Sequence, residues 1–411
     1  MHNGTLLIVS DQLVSSFPER RLMTSTGLLG LNTPENIAAR EPTELHFDYL
    51  SRAVAKDRFG DRIYTISNFT LLFNDPKQFI DHYYHFVAEL LLGTWRMYAG
   101  WLDPDISPRG HTMLPDPSRA IFTHCNNDEW RDYTDYNQYF LHASFPSMGL
   151  EMQEDWLGRI RMTKGGYGAA GVGVAKLWRF DRVLLVDRSA AFRGPMCGGT
   201  QRTAAEAYHS NKHIASRYWW EPIRRRVLGF ASVPLHIMDY SIPTELQEEL
   251  DVDPALPPVL ITYLSRQGWR RRLTDESHKG LLAAQRLEFL EFHPENYSRD
   301  DQLAIAARST VILGVHGNGL THLVAMAPTP VSAVIEIFYP KGFAKDYQWT
   351  AESLGIKHFG VWNDTWFTSP KLPQVNYPEG FQGESIYVHG PTVAQLIADR
   401  VEDRLPGPPN P

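Results

Sequence analysis

Apolar residues fall into two regimes along the chain. Up to about residue 258 the apolar runs are short and unevenly spaced; beyond it they alternate regularly with amphipathic stretches. At the start, Leu6-Leu7-Ile8-Val9 reads as a strand, and the mixture of apolar runs and turn residues from there to about residue 80 gives no assignment. After Asn74-Asp75-Pro76 a helix is expected, because Phe79, Tyr83, Phe86, Leu90 and Leu91 recur at helical spacing. A Pro-rich loop over 101–120, an apolar run at 120–123 and a Gly-rich passage over 165–173 come next. Residues 182–186 read as a buried strand ending in the charged turn Asp187-Arg188-Ser189, and Trp-rich helical sequence occupies 204–228. The regular part predicts a strand at 259–264, helices at 276–290 and 302–308, a strand at 310–315, a helix at 320–326, a strand at 331–338 and a final helix at 391–401. Strands and helices alternating at these lengths imply a parallel sheet covered by helices, an α/β fold.

A chain of 411 residues exceeds what one core usually spans, so two domains are expected. The boundaries predicted are an N-terminal domain at 1–243, a linker at 244–258, a C-terminal domain at 259–385, a C-terminal helix at 386–404 and a disordered tail at 405–411. The linker turns acidic and then Pro-rich through Asp253-Pro254-Ala255-Leu256-Pro257-Pro258. The N-terminal domain is a candidate surface for the last helix to pack back on.

The net charge of −7 argues against a general nucleic-acid binder, which needs clustered basic charge. Eleven Trp and 18 Tyr suit flat, hydroxyl-bearing ligands as well as they fill cores. Cys125 and Cys197 permit one disulfide or none and no cysteine metal site. No stretch approaches the roughly 20 apolar residues of a membrane span, and the first apolar run lacks the basic segment of a signal peptide. Sequons at Asn3, Asn68, Asn296 and Asn363 point instead to a secretory compartment. Either an N-terminal anchor precedes this sequence or the sequons are unused, and membrane contact is expected only through such an anchor.

The sharpest chemical signal is Val311-Ile-Leu-Gly-Val-His316-Gly317-Asn318-Gly319-Leu320-Thr321-His322. A buried strand runs through a small-residue turn into a helix. Glycines let the backbone approach a ligand, and a helix N-terminus offers unpaired N–H groups and positive potential, which together suit a diphosphate. A second strand ends in Ser265-Arg266, with Arg270-Arg271-Arg272 just beyond. Guanidinium groups bind phosphate in bidentate fashion and stay charged, although a solvated basic turn would look the same. Glu336, at the end of the strand at 331–338, would either hold ribose or sugar hydroxyls or pair with a neighbouring Arg.

Taken in order, Ser265-Arg266 with the Arg270–Arg272 cluster, Asp301-Gln302, the Val-His-Gly-Asn-Gly-Leu-Thr turn and Val-Ile-Glu336-Ile resemble the glycosyltransferase 61 family. The resemblance spans about residues 80–365 and is strongest over 259–340. It implies a GT-B architecture of two Rossmann-like domains facing a central cleft, with an inverting transfer that needs no metal and no other cofactor. The implied donor is a UDP-sugar carrying N-acetylglucosamine, xylose or a similar sugar. The implied acceptor is a hydroxyl of a glycan or glycoprotein, in the lumen of the Golgi or endoplasmic reticulum. The donor-binding set it implies is Arg188, Ser265, Arg266, Arg270, Arg271, Arg272, His316, Gly317, Asn318, Gly319, Leu320, Thr321 and Glu336. Asn318 stands where the family usually has Ala, which leaves donor identity open.

Inverting transfer needs a base near the acceptor hydroxyl. His82, His85 and Glu89 share one helix face, and His85 and Glu89 are the candidates, with no choice between them. A buried His–Glu pair that fixes the helix is the bland alternative, and two histidines without a third partner make a weak zinc pattern. Asp103-Pro-Asp105 and Asp251-Val-Asp253 resemble the metal-binding strings of another transferase class but sit in a loop and in the linker. A non-catalytic nucleotide- or glycan-binding relative is the alternative function. A Rossmann oxidoreductase is disfavoured, since the chain has no Gly-x-Gly-x-x-Gly after an early strand.

Overall fold

Parallel strands form in two separate places along the chain, each backed by its own apolar core. The computed structural model describes residues 1–28, 33–163, 175–191, 202–252, 258–266, 270–383 and 386–405. The Gly-rich passage, Cys197, residues 253–257 of the expected linker and residues 406–411 of the expected tail lie outside the described residues.

One unit comprises Met1–Phe86 and Leu114–Cys197. Its strands are β1 (Leu6–Val9), β2 (Phe47–Leu50), β3 (Ile63–Phe73), β4 (Arg119–Phe122), β5 (Gly149–Glu151) and β6 (Leu177–Val186). β1 pairs with β2, and the other four form a parallel sheet in the order β5-β4-β3-β6. The N-terminal strand and the strands at 120–123 and 182–186 are where the apolar runs put them. The central strand β3 was not legible in the unassigned early region. It carries a register shift between Ile66 and Phe69, with Asn68 at φ 67°, and its exposed first half hides the strand's alternation. Ile66, Leu72, Ile121 and Trp156 form the apolar core on one side. Phe73 and Phe122 stack on each other and against Phe86 and Trp130.

The second unit comprises Val87–Met113 and Gly198–Pro411. Of the expected linker, the described residues 244–252 and 258 fall inside it, with a helical turn at Thr244–Gln247. Its six strands are β7 (Ile261–Leu264), β8 (Phe289–Phe292), β9 (Val311–Val315), β10 (Ala333–Ile337), β11 (Lys357–Trp362) and β12 (Thr365–Phe367), in the order β12-β11-β10-β9-β7-β8. All neighbours are parallel except the β11–β12 hairpin. The mixed α/β fold with parallel sheets is therefore the observed one. Alternate residues of β7, β9, β10 and β11 pack against Leu281 of the helix Asp275–Ala284 and against Val393, Leu396 and Ile397 of the helix Gly390–Val401. The helix expected over 276–290 ends at Ala284, and its Leu-rich tail becomes β8.

Two helices of the second unit, Leu92–Leu102 and Arg202–Asn211, approach closely because the first carries glycine where they touch. A Cβ on Gly93 of Leu92–Leu102 would lie 2.8 Å from the Thr203 backbone, and one on Gly100 would strike the Asn211 side chain. Arg96 Nε donates to Asn211 Oδ1 at 2.7 Å across this contact. The helical sequence around 204–228 resolves into two helices, Arg202–Asn211 and Glu221–Phe230.

Candidate functional site

Strand order places the site. The chain passes from β7 to β8 on one side and then to β9 on the other, so the winding direction reverses between β7 and β9. In open parallel sheets, ligands bind outside the carboxyl ends of the two strands flanking such a reversal. Leu264 pairs with Gly314 in register, so Ser265-Arg266 and Val315-His316-Gly317 leave the sheet side by side.

Beyond β9 the chain winds into a 3₁₀ helix, Asn318–Ala325, rather than an α-helix. Trp220 Nε1 donates to Val324 O at 2.9 Å and Arg224 Nε to Met326 O at 3.0 Å, which satisfies the carbonyls at its far end. At its near end Tyr347 Oη donates to Gly317 O at 2.7 Å, and Leu320 N–H donates to the same oxygen at 3.0 Å. Among the described residues the amides of Gly317 and Gly319 meet no acceptor, as expected of the first amides of a helix.

The two basic segments singled out in the sequence converge on this bend. A Cβ at position 317 would collide with Arg266 Nη1 and would lie 3.2 Å from Arg271 Nη1. Glycine is therefore required there for two guanidinium groups to lie on the backbone. Arg271 N donates to Gly383 O at 2.7 Å, which ties its loop to the segment before Ile386. Among the described residues neither Arg266 nor Arg271 forms an ion pair with a carboxylate. Burial foremost, with the Arg266 charge adding to it, holds the Arg271 pKa below the usual arginine value. Two crowded guanidiniums beside unpaired amides make a site for a multiply charged anion.

Behind the bend lies a buried acid–base chain. Glu336 pairs in register with Gly314 on one side and Gly360 on the other. Its Oε1 meets Nδ1 of His316, and its Oε2 lies 2.7 Å from Nε2 of His358. Burial, with the nearby Asp346 charge, pushes the Glu336 carboxyl well above the usual range. Burial and the Arg271, His358 and Arg266 charges push His316 down to about 3, and burial pushes His358 to about 3. Both imidazoles are thus neutral. Among the described residues the Nδ1 of His358 is buried without a partner. A bare lone pair costs less to bury than an N–H, so the proton sits on Nε2 and is donated to Glu336. Raised by burial, the Glu336 carboxyl favours its protonated form, in which Oε1 donates to His316 Nδ1 and the His316 proton sits on Nε2. The His316 ring stacks on Phe338 and meets Tyr347 and Phe381 edge-on or tilted.

Of the remaining candidates, Ser265 donates from Oγ to Glu291 Oε1 at 2.8 Å. Arg270 is exposed, and Arg272 lies 3.7 Å from Asp275. Asn318 Oδ1 lies 3.5 Å from Thr321 Oγ1, and Leu320 and Thr321 are buried. Glu336 is fully buried with both oxygens engaged by histidines, so the hydroxyl-holding role expected of it, and the alternative pairing with an arginine, both give way to this His–Glu–His chain. Arg188 belongs to the first unit, buried with its guanidinium 4.0 Å from the Phe79 ring centre and its backbone N–H on Asp75. His85, also in the first unit, is half-buried against His82, Phe79 and Tyr84. Glu89, in the second unit, is fully buried. Both lie on Tyr84–Leu91, which is π-helical, a form that often marks functional sites. No local signal pointed to His358 or Tyr347: they lie beyond the last strand predicted, and only the folded sheet brings them to Glu336 and Gly317.

An α/β protein with a glycine bend crowded by two guanidinium groups at the reversal point of its second sheet is the class that the fold and site define. The family Glycosyltransferase 61 matches the chain over residues 83–335, more than half its length, and the chain belongs to that family. It is a glycosyltransferase. No curated relative matches the chain. Among the described residues no helix is long and apolar enough to cross a membrane, and no three His, Cys, Asp or Glu side chains are grouped to hold a metal ion.

Proposed function

We propose that the protein is an inverting, metal-independent transferase of GT-B type that moves N-acetylglucosamine, xylose or a similar sugar from a UDP-sugar to a glycan or glycoprotein hydroxyl. The observation that carries this reading is the bare Gly317 backbone beneath Arg266 and Arg271 at the reversal point of the sheet. The acceptor oxygen attacks the anomeric carbon, its proton passes to a base, and the bond to the diphosphate breaks with its electron pair leaving on the diphosphate oxygen. Arg266 and Arg271 bind the charge that grows on that oxygen, so they stabilise the transition state more than the ground state. Arg270 and Arg272 extend the basic rim.

For the base, a group must reach the acceptor hydroxyl. His85 retains solvent access and Glu89 has none, which favours His85 with Glu89 as a buried support. Transfer from UDP-sugars, assayed with EDTA present, is expected to keep its full rate, because guanidinium groups supply the positive charge. Abolition of transfer by EDTA and its recovery with Mn²⁺ or Mg²⁺ would sink the metal-free part of the proposal.

We also propose that it works in the lumen of the secretory pathway. All four sequon asparagines are exposed, and Asn3, Asn68 and Asn363 sit at positive φ in turns or at a bulge, where a glycan clears the backbone. Protein isolated from its native cells is expected to shift on gels after peptide N-glycosidase treatment. An unshifted band, with unmodified asparagines by mass spectrometry, counts against this location.

A further inference from the structure

One carboxylate at the carboxyl edge of the second sheet takes no part in gripping the diphosphate. Glu291, the penultimate residue of the short edge strand β8, pairs in register with Tyr263 of β7. Two donors fix one of its oxygens: Ser265 Oγ at 2.8 Å and His278 Nε2 at 2.7 Å, both on Oε1. His293 Nε2 lies 3.3 Å from the same oxygen. Among the described residues the other oxygen, Oε2, has no hydrogen-bond partner, and the side chain keeps 26% of its surface exposed. Burial alone would raise this carboxyl, but the bonds from Ser265 and His278 and the charges of His278 and His293 outweigh it, and its pKa lies below the usual value. Glu291 is an anion with one oxygen held in place and the other open to water, a preorganised acceptor for a ligand hydroxyl.

Topology says which hydroxyl. β7, the helix Asp275–Ala284 and β8 form a β–α–β unit. In nucleotide-binding units of this kind, phosphates sit at the end of the first strand, and an acid about 20 residues on, at the end of the second, takes the ribose hydroxyls. Here the end of the first strand carries Ser265-Arg266. Ser265 donates to Glu291, and the next side chain, Arg266, lies on Gly317. Glu336 cannot take that part, since it is fully buried with a histidine on each oxygen.

We propose that Glu291 is the ribose-binding carboxylate of the donor site, accepting a nucleoside hydroxyl at Oε2 while Ser265, His278 and His293 hold Oε1. This rests on the reading of Arg266, Arg271 and Gly317 as the diphosphate grip. The test is calorimetric binding of UDP, UMP, 2′-deoxy-UDP and 3′-deoxy-UDP to the wild-type protein and to Glu291→Gln. The wild type is expected to bind at least one deoxy analogue about tenfold more weakly than UDP, the effect of losing a hydrogen bond to a charged group. Glu291→Gln is expected to bind UDP and that analogue alike. Equal affinity of the wild type for UDP and both analogues overturns the assignment, and so does full discrimination by Glu291→Gln. Because the analogues are compared on the unmodified protein, a variant that fails to fold leaves the test intact. A preference for UDP over UMP reports the diphosphate grip separately: if it holds while the deoxy comparisons are flat, only the Glu291 assignment falls. If UDP is not bound at all, both fall.

Discussion

Arg271→Ala is expected to lower kcat/KM for sugar transfer by about 10²–10³, the usual cost of removing a group that binds charge developing in the transition state. Arg271 is the better fixed of the two guanidiniums on Gly317: its backbone is tied to Gly383, and its side chain is partly withdrawn from water. Arg266→Ala is expected to cost less, since that side chain is exposed. The double variant should lose less than the product of the two, because both cations act on one anion. Arg271→Lys should retain little of the lost rate, as an ammonium lacks the planar fork that meets two phosphate oxygens. Gly317→Ala probes the same contact from below. Its φ of 161° is extended backbone open to any residue, and the atom its Cβ meets is the mobile end of Arg266. Thermal stability should therefore change by less than about 0.5 kcal/mol while UDP binding weakens. Steady-state kinetics with calorimetric UDP titration of each variant decide it. Wild-type kcat/KM in the Arg266/Arg271 double alanine variant would remove the physical basis of the proposed mechanism.

The segments that make this site were legible for a specific reason. β7, β9 and β10 are buried on both faces, so they read as largely apolar runs, broken within the strands only by Thr262 and Glu336. The arginines after β7 and the glycines after β9 follow those runs with residues that a plain connection does not need. What was not legible depended on tertiary pairing. Nothing local in Phe289-Leu290-Glu291-Phe292 marks a change from helix to strand, since no Gly or Pro separates it from the preceding helix; its pairing with β7 makes it one. The apolar spacing from Phe79 to Leu91 fits a helix but cannot distinguish an α-helical from a π-helical winding at Tyr84–Leu91. Glu336 was visible as an acid at a strand end, yet its role was set by His358, which lies 22 residues on and reaches it only across β10 and β11. A buried acid whose partners come from neighbouring strands cannot be read from its own segment.

That same chain of His316, Glu336 and His358 predicts how stability responds to acid. In the unfolded protein both imidazoles take up a proton near the ordinary value of 6.5, whereas in the fold both are held at about 3. A base whose folded pKa is depressed contributes its stability above 6.5 and loses it as pH falls. Glu336 works the other way: its folded pKa is raised above the ordinary 4.5, so its contribution is complete below 4.5 and is lost as pH rises through the folded value. Between 4.5 and 6.5 the unfolded chain therefore carries a proton on each of the two imidazoles and none on Glu336. The folded chain carries none on the imidazoles. Each depressed imidazole therefore makes stability fall by about 1.4 kcal/mol for each pH unit of acidification, and the raised Glu336 carboxyl opposes this. His358→Gln removes one of the two titrating bases, while its amide can still donate to Glu336 Oε2. Urea unfolding across that pH interval should give a stability slope for the variant shallower than wild type by about 1.4 kcal/mol per pH unit. Identical slopes would mean that His358 is not held neutral in the fold, and the proton placement on the His316–Glu336 pair would have to be reversed.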